Sequence, residues 1–254
     1  MRSRYRATSN FAYSFGPGPL TPAIKAIILA NVAIFIAGWL AGAVGLPTRA
    51  INSIFGLTPS AVLTRLYVWQ LVSYMFLHGG VFHILFNMLA LWMFGVELER
   101  MWGSRYFTKF YFVTGVGAGL VHMLLSLTPF GAGAYVIPTV GASGAIYGVL
   151  LAFAMYFPNR PILIYMLFPV PAKYAVMIMG ALAFMAAGEG SGTGVANTAH
   201  LGGLLVGYLY LKRGRINLGS EIKYRYLKWR INRMRRRFDV YSGGRGDDVN
   251  RRVH

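Results

Sequence analysis

The chain has 254 residues, 56% of them hydrophobic and 13% charged, with a formal net charge of +18. A soluble domain carries about 25% charged residues, so a soluble globular chain is excluded. The lack of any cysteine excludes disulfides and thiolate chemistry.

Residues 1–22 are polar, basic (Arg2, Arg4, Arg6) and broken by Gly16-Pro17-Gly18-Pro19, which predicts a flexible cytosolic lead. Residues 23–44 form the first apolar run. It is too long for a signal-peptide core and has no strong cleavage site, so it is expected to stay as a helix. Residues 45–68 are a mixed connection with Pro47, Pro59, Arg49 and Arg65. Residues 69–77 are apolar and aromatic and are expected at an interface or in a hairpin.

Further runs of roughly the length that crosses a bilayer, about 20 residues, cover 81–101 and 106–127. Three shorter ones begin at Ser143 and end at Pro158, cover 171–187, and cover 197–211. Residues 128–140 form a loop without a charge. The expected fold class is therefore an all-α polytopic membrane protein, a six-helix bundle over residues 23–212, followed by a basic tail, 213–254.

Six crossings put both termini on one side. The lead, the loops with Arg100, Arg105, Arg160 and Lys173, and the tail then face the cytosol, as the positive-inside tendency requires. Loops 128–140 and 188–196 lack Lys and Arg and face outward; Arg49 and Arg65 are minor exceptions. In the tail, Ile222, Leu227, Ile231, Met234 and Phe238 recur at near-helical spacing among Lys and Arg. Such a helix can lie on anionic lipid, each basic residue contributing about 1 kcal/mol. A solvated tail that only fixes topology fits the same pattern. Specific nucleic-acid binding is not expected, because charge steers without specifying.

Polar side chains inside spans usually face a cavity or one another. Here they are His83 and Asn87, Ser143 and Tyr147, and His200. Each of the first two pairs is four apart and shares a helix face. With a rise of about 1.5 Å per residue, Ser143 lies about 25 Å above Arg160, His200 about 18 Å above Lys212 and His83 about 21–24 Å above Glu97 and Glu99. Three helices thus deliver polar groups to a similar level. The run from Ser143 is too short to cross fully, so the uncharged loop before it dips inward, which is tolerated only in protein or around a wet cavity. Gly144 with Gly148, and Gly203 with Gly207, form small-residue faces that let backbones pack closely. They are expected to bring His200 toward Ser143.

A serine hydroxyl needs a neighbouring base, and a neutral imidazole suits. Attack on an amide creates an oxyanion, for which His83, Asn87 and the Ser143 amide are the available donors. The only carboxylates before the tail are Glu97, Glu99 and Glu189, none placed to complete a triad, so a Ser–His dyad is expected. Zinc proteases need a motif such as His-Glu-x-x-His, absent here. Aspartyl enzymes need two intramembrane Asp residues, and none precedes Asp239. His122 is expected to pack and His78 to brace the loop–helix boundary.

At His83-Ile84-Leu85-Phe86-Asn87, at Gly141-Ala142-Ser143-Gly144 with Tyr147, and at Ala199-His200-Leu201-Gly202-Gly203 with Gly207, the sequence resembles the rhomboid intramembrane serine proteases. Trp69, His78 and the 99–103 segment fall at family-like offsets. The resemblance covers about 69–211. It implies Ser143 as nucleophile, His200 as general base with Tyr147 stacked on its ring, and an oxyanion hole of His83, Asn87 and the Ser143 amide. Gly141, Gly144, Gly203 and Gly207 are supporting positions.

The implied substrates are single-span membrane proteins cut near the outer face through an acyl-enzyme, with no metal or cofactor. The implied location is a prokaryotic inner membrane with both termini cytosolic. Trp69-Gln70 departs from the Trp-Arg often found in the family, which leaves the bracing of the first loop open. The alternative is a rhomboid-like chaperone or client-binding adaptor without catalysis; such relatives usually lack the serine or the histidine. A small-solute transporter is disfavoured, since no repeat and no mid-membrane charge is visible.

Overall fold

A computed structural model describes residues 17–129, 131–164, 168–188 and 197–213. The basic lead up to residue 16, the loop with Glu189 and the tail beyond Arg213 lie outside the described residues, and with them the predicted tail helix. Apart from Lys212 and Arg213, the last turn of the final helix, the description concerns the compact unit Met1–Leu211.

The described residues are predominantly helical: α1 Pro22–Ala43, α2 Thr48–Phe55, α3 Pro59–Arg65, α4 Gln70–Ser73, α5 Val81–Ala90, α6 Val96–Trp102, α7 Ser104–Ser126, α8 Ser143–Tyr156, α9 Ala172–Gly188 and α10 Asn197–Arg213. Among these residues, three stretches are long and apolar enough to cross a membrane: Pro22–Ala43, Val81–Trp102 and Ser104–Ser126. The other apolar helices are shorter. At 14 residues, α8 spans about 21 Å against a hydrocarbon core of about 30 Å.

One element lies outside the expected helices: Pro161–Ile164 (β1) and Phe168–Pro171 (β2) pair antiparallel between α8 and α9, with Ile162 opposite Val170. The three prolines 161, 169 and 171 cannot donate ladder or helix hydrogen bonds, so the described residues here pair as extended strands and do not continue a helix.

The first long helix starts where its amides find an acceptor. Pro22 sits in its first turn, where a missing N–H costs nothing. The Glu99 carboxylate, 2% exposed, accepts from the Ala23 and Ile24 amides at 2.9 and 3.0 Å and from the Ser104 and Thr21 hydroxyls. A carboxylate at a helix N-terminus answers both the orphan N–H groups and the dipole. We expect Glu99→Ala to destabilise the fold by about 1–2 kcal/mol and Glu99→Gln by less, read as unfolding midpoints in detergent. Equal midpoints for Glu99→Ala and wild type would discard this account.

The stretch from α5 to α6 runs through a wider π turn, Leu91–Gly95, a device that bends helices. Gly95 lies in that turn, and a Cβ there would come within 3.1 Å of Phe107 and closer still to Ile24. The absence of a side chain at Gly95 thus lets the helix pass tightly between α1 and α7.

Between α1 and α5 the chain folds into short helices stitched by side chains. Trp69 Nε1 donates to the Ile54 carbonyl at 2.8 Å and Ser73 Oγ to the Phe55 carbonyl at 2.6 Å. Gln70, fully buried, accepts from the Thr58 amide at 3.0 Å and donates to the Ser53 and Ile54 carbonyls. The bracing left open by the Trp69-Gln70 pair is therefore made by the glutamine amide, which has the donor and the acceptor that this turn needs.

The interior is built on α7 and α8. In lipid, association cannot rely on excluding water, so close packing and interhelical hydrogen bonds must supply it. Accordingly Phe107, Phe110, Tyr111, Ala145, Val149 and Phe153 are buried together, and small residues open the closest approaches. A Cβ on Gly203 of α10 would collide with the Gly144 carbonyl oxygen of α8, and one on Gly207 would sit 3.1 Å from Gly148 Cα.

Candidate active site

The loop before α8 is pinned on both sides. Thr139 and Leu57 exchange backbone hydrogen bonds at 2.8 and 2.9 Å, and the Gly141 amide donates to the Tyr74 carbonyl at 2.9 Å. Gly141 has φ +127°, backbone that a side chain rarely adopts. A Cβ there would also lie 2.8 Å from His83 Nε2. Glycine is needed twice over. Ser143 then begins α8, so its amide is among the N–H groups without an intrahelical partner, at the positive end of the helix dipole.

His200 arrives from α10. Its Nε2 lies 2.8 Å from Ser143 Oγ, and its ring stacks on Tyr147 with centroids 4.3 Å apart and planes 5° from parallel. Tyr147 is one turn along α8 from Ser143, so one helix carries both the hydroxyl and the platform that orients the imidazole. For the hydroxyl to donate to Nε2, the neutral ring must carry its proton on Nδ1. Among the described residues, His200 Nδ1 is buried without a hydrogen-bond partner.

The described carboxylates are engaged elsewhere, Glu97 with Arg160 and Glu99 at the start of α1. The arrangement is a pair of residues and not a triad among the described residues.

His83 and Asn87 face the same hollow from α5. The Gly79 amide donates to His83 Nδ1 at 3.3 Å, which leaves the proton on Nε2, the nitrogen beside Gly141. That makes Nε2–H a donor toward the space in front of Ser143. Asn87 Nδ2 donates to the His83 carbonyl at 2.9 Å; an amide group has a second hydrogen to offer. His78 meets the His83 ring edge-on, centroids 5.0 Å apart. Burial, then the neighbouring His83, pushes the His78 imidazole down to about 4, so it is neutral near pH 7 and packs as an aromatic.

Ser143, His200, His83, Asn87, Tyr147 and Gly141 line one cavity of about 680 Å³. That volume lies within the roughly 300–1,000 Å³ of ligand sites. Gly144, Gly203 and Gly207 stand behind it as packing positions. His122 does not line it and bonds to two threonines instead. No cluster of metal-ligating side chains occurs among the described residues.

Sequence reasoning missed four contributors. Tyr74 holds Gly141 through its carbonyl, and its hydroxyl donates to the Gly115 carbonyl at 2.7 Å. Gly79 sets the His83 tautomer, Thr139 anchors the loop and Met179 brings α9 to the cavity wall. Only the Gly79-Gly80 pair left a sequence signal, a turn immediately before a helix start.

A family model described as the rhomboid domain matches residues 65–214. The chain is 37% identical over 153 residues to rhomboid protein 1, mitochondrial, of Saccharomyces cerevisiae, covering 59% of this chain and 43% of that protein. It is 32% identical over 155 residues to rhomboid protease GluP of Bacillus subtilis, covering 61% and 27%. To rhomboid protease AarA of Providencia stuartii it is 30% identical over 157 residues, covering 56% and 54%. The chain therefore spans about a quarter to a half of the relatives it matches.

Proposed function

Because the chain belongs to the rhomboid family and its apolar helices make it an integral membrane protein, we propose that it is an intramembrane serine endopeptidase. It cuts the transmembrane helices of single-span membrane proteins near the outer face. The observation that carries this is the 2.8 Å contact between Ser143 Oγ and His200 Nε2, made inside a cavity by groups from two helices.

His200 Nε2 takes the Ser143 proton as Oγ attacks the scissile carbonyl carbon. The electron pair of the C=O bond moves to oxygen, giving a tetrahedral oxyanion. The Ser143 amide, His83 Nε2–H and the free Asn87 N–H are the donors aimed at that charge, each worth about 10²–10³ in rate. The protonated His200 gives its proton to the departing amine and the C–N bond breaks, leaving an acyl-enzyme. A water, deprotonated by His200, then attacks the ester and frees the acid and the serine.

Six crossings with both termini cytosolic complete the reading. The uncharged loop 128–140 supports it, as do the basic residues at the opposite ends of the helices. The basic tail is proposed to lie on anionic lipid. No metal or cofactor enters the scheme.

A serine-directed phosphonate, applied in detergent and in liposomes, is expected to label wild-type protein at Ser143 and to leave Ser143→Ala and His200→Ala unlabelled. Mass spectrometry of the labelled peptide reads the site. A protein that binds membrane clients without cutting them would stay unlabelled throughout, and that result would reject the protease. Asn87→Ala is expected to lower kcat by about 10²–10³ with KM nearly unchanged, since its donor matters chiefly in the transition state. A change confined to KM would move Asn87 to substrate binding.

A further inference from the structure

His122 stands on α7, 1% exposed, and both nitrogens of its ring are used. Nδ1 lies 2.5 Å from Thr198 Oγ1 and Nε2 lies 3.0 Å from Thr139 Oγ1. A neutral imidazole offers one donor and one acceptor, and a hydroxyl can serve as either, so this three-membered chain is satisfied in both tautomers.

The two threonines are not arbitrary ends. Thr198 is on the first turn of α10, two residues ahead of His200. Thr139 is two residues ahead of Gly141 and four ahead of Ser143, in the strand-like pairing with Leu57. One ring on a third helix thus grips the segment that delivers the hydroxyl and the segment that delivers the imidazole.

We propose that His122 is a positioning residue for the Ser143–His200 pair, a flat ring of fixed width that sets the spacing between the α10 N-terminus and the loop leading into α8. The glycine faces cannot do this alone. Gly144 against Gly203 and Gly148 against Gly207 decide how near α8 and α10 come, but small smooth surfaces leave sliding and rotation about the helix axes open. Hydrogen bonds are directional, and those to His122 oppose both motions. A misplacement of about 1 Å at the reacting atoms can cost on the order of 10² in rate, so a residue that touches no substrate can still govern kcat. The inference rests on the protease reading.

The test is a steady-state assay of full-length protein in liposomes with a membrane-embedded peptide substrate, run beside phosphonate labelling and thermal unfolding. His122→Leu keeps the bulk and removes both hydrogen bonds. It is expected to lower kcat by on the order of 10² with KM within about twofold, to slow labelling in parallel, and to lower the unfolding midpoint by no more than about 4 °C. His122→Gln, which again offers one donor and one acceptor, recovers most of the lost rate. Thr198→Val, nearly isosteric, reproduces the kcat loss in part and stands in should His122→Leu fail to fold.

An active wild type whose kcat is untouched by His122→Leu or Thr198→Val overturns the proposal alone. So does a rate loss that tracks loss of folded protein and is not recovered by glutamine. A wild type that neither labels nor cuts ends the protease reading, and this inference with it.

Discussion

Ser143→Ala and His200→Ala are each expected to lower kcat by about 10⁴–10⁶, and the double variant is expected to be no slower than the worse single one. The reason lies in the 2.8 Å contact between Ser143 Oγ and His200 Nε2. A hydroxyl without its base is too weakly nucleophilic to attack an amide, and an imidazole without the hydroxyl has nothing to activate. Either loss removes the whole covalent route, so the second substitution finds nothing left to remove. What remains is the residual of roughly 10³–10⁴ over water that preorganised donors and binding supply.

Neither change disturbs the bundle much. Ser143→Ala deletes one oxygen at a helix start, and His200→Ala leaves the Gly203 and Gly207 contacts in place. Single-turnover assays in liposomes, with unfolding midpoints as the control, decide the matter. Losses that multiply in the double variant, or any Ser143→Ala rate near wild type, would take these residues out of the chemistry.

The second large effect comes from a residue with no functional group. Gly203→Ala places a methyl on the Gly144 carbonyl oxygen, which can be relieved only by moving α10 away from α8. Overpacking costs about 1–3 kcal/mol, while alanine's better helix propensity returns at most about 1 kcal/mol, so the net is destabilising. The larger consequence is catalytic. The helix that must retreat carries His200 one turn earlier, and a shift of about 1 Å is enough to lose on the order of 10² in kcat.

Gly38→Ala is the matched control. Nothing lies within 4 Å of a Cβ on Gly38 in α1, so the same substitution there should leave activity intact and the midpoint level or slightly raised. Equal behaviour of the two variants would contradict the close α8–α10 contact.

How much of this was legible beforehand follows from the range of each interaction. Helices α1, α7 and α9 begin and end within about two residues of the apolar runs, because burial in lipid demands long uninterrupted hydrocarbon that periodicity displays directly. His83 with Asn87, and Ser143 with Tyr147, share faces by spacing alone. The pairing of Gly144 with Gly203 was foreseeable as small-residue faces, though not which glycine meets which. The proline-containing link between α8 and α9 shows no pattern in the sequence, and Pro161–Ile164 pairs with Phe168–Pro171, since two short strands leave no periodicity to find. The role of Gln70 depends on carbonyls of Ser53 and Ile54 that lie 17 and 16 residues away, and the tight approach at Gly95 is made by Ile24 and Phe107. Neither is written near the residue concerned.

Composition and local order by themselves determined that the chain lives in a membrane, where its longest apolar helices lie, and which few polar side chains those helices must hide. Both kinds of information follow from neighbours along the chain and from the cost of exposing polar groups to hydrocarbon. Only the tertiary structure decided that Ser143 and His200, 57 residues apart, touch, and that Gly79 leaves His83 a donor on the side facing them. It also decided that Glu97 and Glu99 are engaged elsewhere, and that His122 bonds to a threonine near His200 and to one near Ser143. Those are contacts through space, set by how close glycine faces let the helices come, and no pattern of spacing within one helix encodes them.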